Sequence, residues 1–109
     1  MNFEIAPKET EKQVTFDEAV MYCLSLGNGW RLPTLKELQE ITRISINYVD
    51  ESGEIIHIPQ HNFEKKWYWS SDEYKYNTER RWCFNYYTNT MFDCDKNTNR
   101  YLVRAVRDI

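Results

Sequence analysis

The sequence predicts an α+β domain, and three observations carry that prediction. Two capped helix starts follow each other closely in the first half, apolar residues alternate singly through the second half, and no low-complexity stretch divides the chain. At 109 residues the chain is of ordinary size for one domain, so residues 1–109 are read as a single unit.

Phe3 and Ile5 alternate with polar neighbours, as in a short strand, and Pro7 then opens a polar connector running to Gln13. Thr15 and Glu18 have capping-box spacing: the hydroxyl accepts from a backbone N–H of the first turn, and the carboxylate accepts from the cap residue's own N–H. Val14 and Ala19 stand at the staple positions, while Phe16, Ala19, Val20, Cys23 and Leu24 fall on one helical face. Gly27 supplies the left-handed residue that stops this helix. Pro33 and Thr34 open a second helix, in which Thr34 and Glu37 repeat the capping box ahead of Leu38. From Ile44 the period becomes two: Ile44, Ile46 and Tyr48, a turn at 50–53, then Ile56 and Ile58 up to Pro59 predict a small hairpin.

The remainder reads as a meander of four strands, at 67–71, around Trp82, Phe84 and Tyr86, at 91–94, and at 101–107. With Thr88 and Asn89 as a two-residue turn, Trp82, Phe84, Tyr86 and Met91 share one face, and Cys83 and Cys94 oppose each other on the other. That pair falls at a hydrogen-bonded site, where the backbones stand farther apart, which weighs against a disulfide without excluding it. Together with Cys23 the cysteines are odd in number and lack metal-finger spacing, so they read as buried thiols of a reducing compartment.

A net charge of -3 gives no basic excess for a nucleic-acid partner. The N-terminus has neither a basic region nor a signal-length apolar run, and no window approaches membrane-spanning length, so a cytoplasmic location without a membrane partner is expected. Aromatic residues, 16% of the chain, must supply much of the core.

Four blocks, in order, resemble the Lcl C-terminal-like family, named for the C-terminal domain of a bacterial collagen-like adhesin. They are Gly29-Trp30-Arg31-Leu32-Pro33-Thr34, Tyr68-Trp69-Ser70-Ser71, Trp82-Cys83-Phe84-Asn85-Tyr86, and Tyr101 to Arg107, over roughly residues 14 to 107. The resemblance implies a C-type-lectin-like fold, two helices packed on twisted antiparallel sheets, related in architecture to formylglycine-generating enzymes and phage receptor-binding proteins. It also implies adhesion or ligand binding. Family members often carry one cysteine in the first helix and another in the last strand; Cys23 matches the first, and Ala105 stands at the second.

Candidate chemistry is sparse. Trp30 and Trp69 suit a core, Arg31 suits buried carbonyls or a carboxylate, and Ser70 and Ser71 lack a nucleophile-elbow context. His57 and His61 are four apart, but Pro59 breaks any helix between them, so they read as loop histidines rather than metal ligands. Asp93, Asp95 and Asn97 alternate as in the opening of a calcium loop, yet Thr98 replaces the glycine and Arg104 the closing glutamate. No metal, cofactor or catalytic residue is therefore expected.

The segment from 72 to 81 is the ligand-facing candidate, because tyrosine and arginine make rigid amphipathic contacts. The sequence thus predicts a non-enzymatic module that binds a protein or glycan through Asp72, Tyr74, Tyr76, Glu79, Arg80 and Arg81, with Tyr87 and Phe92 on the outer face of the 82–94 hairpin. The alternative is a phage- or mobile-element-encoded inhibitor that blocks a host protein with the same surface. Aromatics on an outer sheet face also suit association of the chain with itself.

Overall fold

Both capping boxes form. Thr15 N–H donates to the Glu18 carboxylate at 3.0 Å and Glu18 N–H returns to the Thr15 hydroxyl at 3.4 Å, opening α1 (Phe16–Ser25). Thr34 and Glu37 do the same at 2.8 and 3.1 Å and open α2 (Leu35–Arg43). Gly27, at φ 69°, ends α1 in the left-handed region that glycine adopts without a Cβ penalty. The computed structural model describes residues 2–43 and 45–109, and side chains other than those of 42–48 and 56–60.

The strands are β1 (Phe3–Ile5), β2 (Lys12–Val14), β3 (Ser45–Val49), β4 (Ile55–Pro59), β5 (Trp67–Glu73), β6 (Arg80–Asn85), β7 (Thr90–Asp95), β8 (Tyr101–Val103) and β9 (Val106–Asp108). They form a central five-stranded sheet in the order β2-β8-β5-β6-β7 and two separate two-stranded pairs, β1-β9 and β3-β4. The hairpin β3-β4 forms where the alternating run places it; Ile44 and the side chains of Ile46, Tyr48, Ile56, His57 and Ile58 lie outside the described residues.

The central sheet separates two apolar clusters, one under each helix. On one side Leu35, Leu38 and Ile41 of α2 join Phe63, Tyr68, Phe84 and Tyr86. On the other, Phe16, Ala19 and Cys23 of α1 join Trp69, Cys83, Cys94 and Val103. The pleat explains the division, since successive residues of β5 and β6 point to opposite faces. Ring pairs carry much of the packing, including Phe16 edge-on to Trp69 at 5.6 Å and Phe63 stacked on Tyr86 at 5.1 Å.

Several expectations are corrected. The polar connector contains β2, which pairs with β8, and a short 3₁₀ turn at Lys8–Thr10. The final run is two strands rather than one: the chain leaves the central sheet after Val103, and β9 pairs with β1. Tyr68 and Leu102 pair in parallel, so the central sheet is mixed and not purely antiparallel. Leu24 turns outward at 65% exposure, because the buried stripe of α1 is only Phe16, Ala19 and Cys23.

The β6-β7 hairpin differs in register. Asn85 pairs with Thr90 and Cys83 with Phe92, two residues away from the tight-turn expectation. A slip of two conserves the faces, so Trp82, Phe84 and Met91 still lie together while the cysteines become diagonal neighbours. The longer turn arises because the Asn85 side chain accepts from Tyr87 N–H at 2.8 Å and Thr88 N–H at 3.2 Å, with Asn89 at φ 56°. Cys83 and Cys94 are joined in a disulfide at a Cα–Cα distance of 6.4 Å, so only Cys23 is a free buried thiol, contrary to the reading of all three as thiols.

Candidate functional site

The expected 72–81 loop is shorter than its sequence suggests. Asp72 and Glu73 finish β5, and Arg80 and Arg81 begin β6, so the connection spans only 74–79. Asn77 organises it: its N–H donates to Tyr74 C=O at 3.2 Å, its C=O accepts from Arg80 N–H at 3.1 Å, and its side chain accepts from Glu79 N–H at 2.9 Å. The Asp72 carboxylate accepts Leu35 N–H at 3.2 Å, meeting an orphan donor at the start of α2.

This geometry brings three aromatic rings together. Tyr74 lies edge-on to Trp82 at 5.4 Å and to Tyr76 at 5.5 Å, and Tyr76 is 75% exposed with the Lys75 ammonium 4.9 Å from its ring centre. Met91 shares the sheet face of Trp82 and lines an open groove of about 640 Å³ against α2. Lys36, Gln39 and Glu40 form its helical wall, and Leu35 and Asp72 its end. A partly exposed aromatic cluster thus shares one face of the sheet with a groove of mixed polarity.

The remaining predicted residues do not join this cluster. Arg81 points to the opposite face, where its guanidinium lies 5.0 Å from the centre of the Phe16 ring. Tyr87 sits in the β6-β7 turn, beyond the far end of a strand roughly 17 Å long, with Lys65 over its ring at 5.2 Å. Phe92 is 60% exposed on the Arg81 side and meets Trp67 edge-on at 6.1 Å. The hairpin therefore has no single outer face, since each side carries both buried and exposed residues.

Arg80 and Glu79 are occupied in holding the chain. The Arg80 guanidinium donates to the Asp93 carboxylate at 2.8 Å and to the Asp93 backbone oxygen at 2.7 Å. Glu79 accepts from the Asn97 side chain. The Asp95 carboxylate accepts from Asn97 N–H at 2.8 Å and Thr98 N–H at 3.1 Å, and these bonds hold its carboxyl below the usual carboxylate range. The calcium-like spacing of Asp93, Asp95 and Asn97 is thus explained by an ion pair and a side-chain-capped turn. Among the described residues no group of three or more His, Cys, Asp or Glu is placed to hold a metal. His61, at φ 68°, occupies a 3₁₀ turn and gives its carbonyl to Arg104, while His57 falls in β4 rather than in a loop.

Three potential nucleophiles, Ser70, Cys23 and Tyr68, are buried in the core. Ser70 is buried and its hydroxyl donates to the Trp82 carbonyl at 2.7 Å. Burial raises the Cys23 thiol to about 11, which leaves little thiolate at neutral pH. The Tyr68 hydroxyl donates to Glu11 at 2.9 Å and accepts from Glu64 N–H at 2.8 Å, and burial pushes its ionisation far above the usual value.

The block around Arg31 supports this scaffold. Its guanidinium makes two 2.8 Å bonds to Glu37 and one to Asp108, so one cation joins the α2 cap to the last strand. Backbone bonds between Arg31 and Val106 at 2.8 and 2.9 Å add to the join. The sequence profile of the Lcl C-terminal domain matches residues 4–107, which includes all four of these blocks. The chain belongs to the Lcl C-terminal domain family. No curated protein matches it. In this Lcl C-terminal domain no described helix is long and apolar enough to cross a membrane.

One feature escaped the reading of the sequence. Lys65, Lys66 and Arg100 surround Trp67 and Tyr101 in a shallow groove of about 280 Å³. The adjacent residues Lys65-Lys66-Trp67 were its only local signal, because Arg100 joins them through the pairing of β2, β8 and β5.

Proposed function

We propose that this Lcl C-terminal domain is a non-enzymatic binding module of C-type-lectin-like architecture that takes a protein ligand on the face formed by Tyr74, Tyr76, Trp82 and the Met91 groove. The observation that carries this reading is the edge-to-face cluster of Tyr74 with Trp82 and Tyr76 on the sheet face that also lines the groove. Tyrosine, tryptophan and methionine supply large contact areas at low entropic cost, which is the composition of interface cores. Lys75 over the Tyr76 ring covers one face of the most exposed aromatic, which favours a protein over a sugar stacked on that ring. The two helices on the faces of the central sheet support the lectin-like architecture, and the engagement of Ser70, Cys23 and Tyr68 in the core supports binding over catalysis.

The test is capture from a bacterial lysate with the wild type and a Tyr74→Ala/Tyr76→Ala variant, followed by calorimetry with the purified captured protein. A one-to-one complex weakened tenfold or more in the variant and in Met91→Glu is expected, as for truncated interface anchors. Equal affinity in all three would overturn the assignment of this face. Retention on a glycan array without a protein complex would redirect the ligand class to glycans.

A further inference from the structure

Arg81 stands apart from the proposed protein-binding face. Across the sheet it borders a cleft of about 290 Å³, whose floor is Phe16, Val20, Cys23 and Leu32 and whose open side is Leu24. Its Nη1 donates to the carbonyls of Thr78 at 2.7 Å and Arg80 at 2.9 Å, which fixes the plane of the guanidinium over Phe16. No carboxylate among the described residues lies within ion-pair distance of Arg81, whereas Arg31 in the same cleft is bonded to Glu37 and Asp108. Glu73, the cross-strand partner of Arg81, is the acidic group on the rim and forms no ion pair among the described residues.

A cation held in place by backbone carbonyls, without a counter-ion, at the edge of an apolar floor is complementary to one kind of molecule. Its apolar body displaces water from the floor, and its carboxylate takes the donors of the guanidinium that Thr78 and Arg80 leave open. Glu73 on the same rim opposes negative charge, so a ligand with one carboxylate on Arg81 is tolerated better than one with two. We infer that the cleft between α1 and the connection end of the β5-β6 pair is a binding site for a small monocarboxylate with an aromatic or aliphatic body, separate from the protein-binding face.

The probe is 3-phenylpropionate, titrated into the intact protein and followed by ¹H–¹⁵N spectra, with 3-phenylpropionamide as the uncharged control. Shifts are expected at Val20, Leu24 and Arg81, with the acid bound about threefold to tenfold more tightly than the amide, as for a partly exposed charge-assisted pair. Arg81→Gln should abolish that preference, and Leu24→Gln should weaken both probes alike while keeping it; both variants keep a folded spectrum because they alter exposed or half-buried side chains. Equal binding of acid and amide, a preference that survives Arg81→Gln, or no shifts in the cleft would each overturn the site. The Tyr74→Ala/Tyr76→Ala variant binds 3-phenylpropionate normally if the cleft is the site, whatever becomes of the protein ligand.

Discussion

The Arg104 guanidinium and the Glu11 carboxylate lie 3.3 Å apart with 4% and 5% of their side chains exposed, a buried ion pair joining residues 93 positions apart. Arg104 also donates to the Ala6 carbonyl at 2.8 Å and lies 4.6 Å from the centre of the Phe63 ring, while Lys8 reaches Glu11 at 2.7 Å. It holds the break between β8 and β9 against the N-terminal segment and packs on Phe63 of the cluster beneath α2.

Replacing Arg104 by methionine keeps the volume and leaves Glu11 buried with only Lys8 and Tyr68. The expected loss is about 3 kcal/mol, as for a broken buried pair, measured by urea denaturation. An Arg104→Met/Glu11→Leu double variant should recover part of that loss, since no buried charge remains. A single variant as stable as the wild type would show that the pair contributes nothing.

Glu37 links a helix cap to Arg31, and its hydrogen bonds to that guanidinium hold its carboxyl below the ordinary value of 4.5. A depressed folded-state value stabilises the protein above the unfolded one and loses that contribution as pH falls through the folded value. Glu37→Gln keeps a cap acceptor for Thr34 N–H and should therefore cost about 1 to 2 kcal/mol at pH 7 by loss of the charge paired with Arg31. The gap between wild type and variant should narrow steadily below pH 4.5, the ordinary value for a glutamate carboxyl. A gap independent of pH between 7 and 3 would contradict the linkage.

The Cys83–Cys94 disulfide ties edge strand β7 to β6 across 11 residues of sequence. Closing a loop of that size removes entropy from the unfolded chain worth about 3 kcal/mol. Oxidised protein should unfold at higher urea than the same protein in dithiothreitol, and the Cys83→Ala/Cys94→Ala variant should show no response to the reductant. Identical midpoints for oxidised and reduced wild type would contradict this.

Much of this arrangement was legible before any coordinates. Thr15 with Glu18 and Thr34 with Glu37 carry their meaning in three-residue spacings, so both helix starts could be read locally. Side-chain alternation likewise placed Trp82, Phe84 and Met91 on one face, and the slip of two residues left that result unchanged. What failed depended on distant partners. Lys12–Val14 has too little apolar pattern to announce a strand and becomes one by pairing with β8. Arg104 interrupts an apolar run with a charge whose partner lies in the N-terminal segment. The site was divided for a similar reason: Arg81 and Trp82 are adjacent in sequence and face opposite sides of the sheet.

Asp93 and Asp95 have already spent their carboxylates on Arg80 and on the turn at 95–98. Millimolar calcium should leave the melting temperature unchanged in calorimetry, because binding would have to break those bonds first. A rise of several degrees would reopen the cation reading.

Antiparallel pairing of β1 with β9 sets Phe3 opposite Asp108, so the two ends of the domain leave it side by side. Tension applied to those ends acts across the rungs of the pair and not along them. The strands would then peel apart one rung at a time, and the β1-β9 pair would yield before the disulfide-bound hairpin.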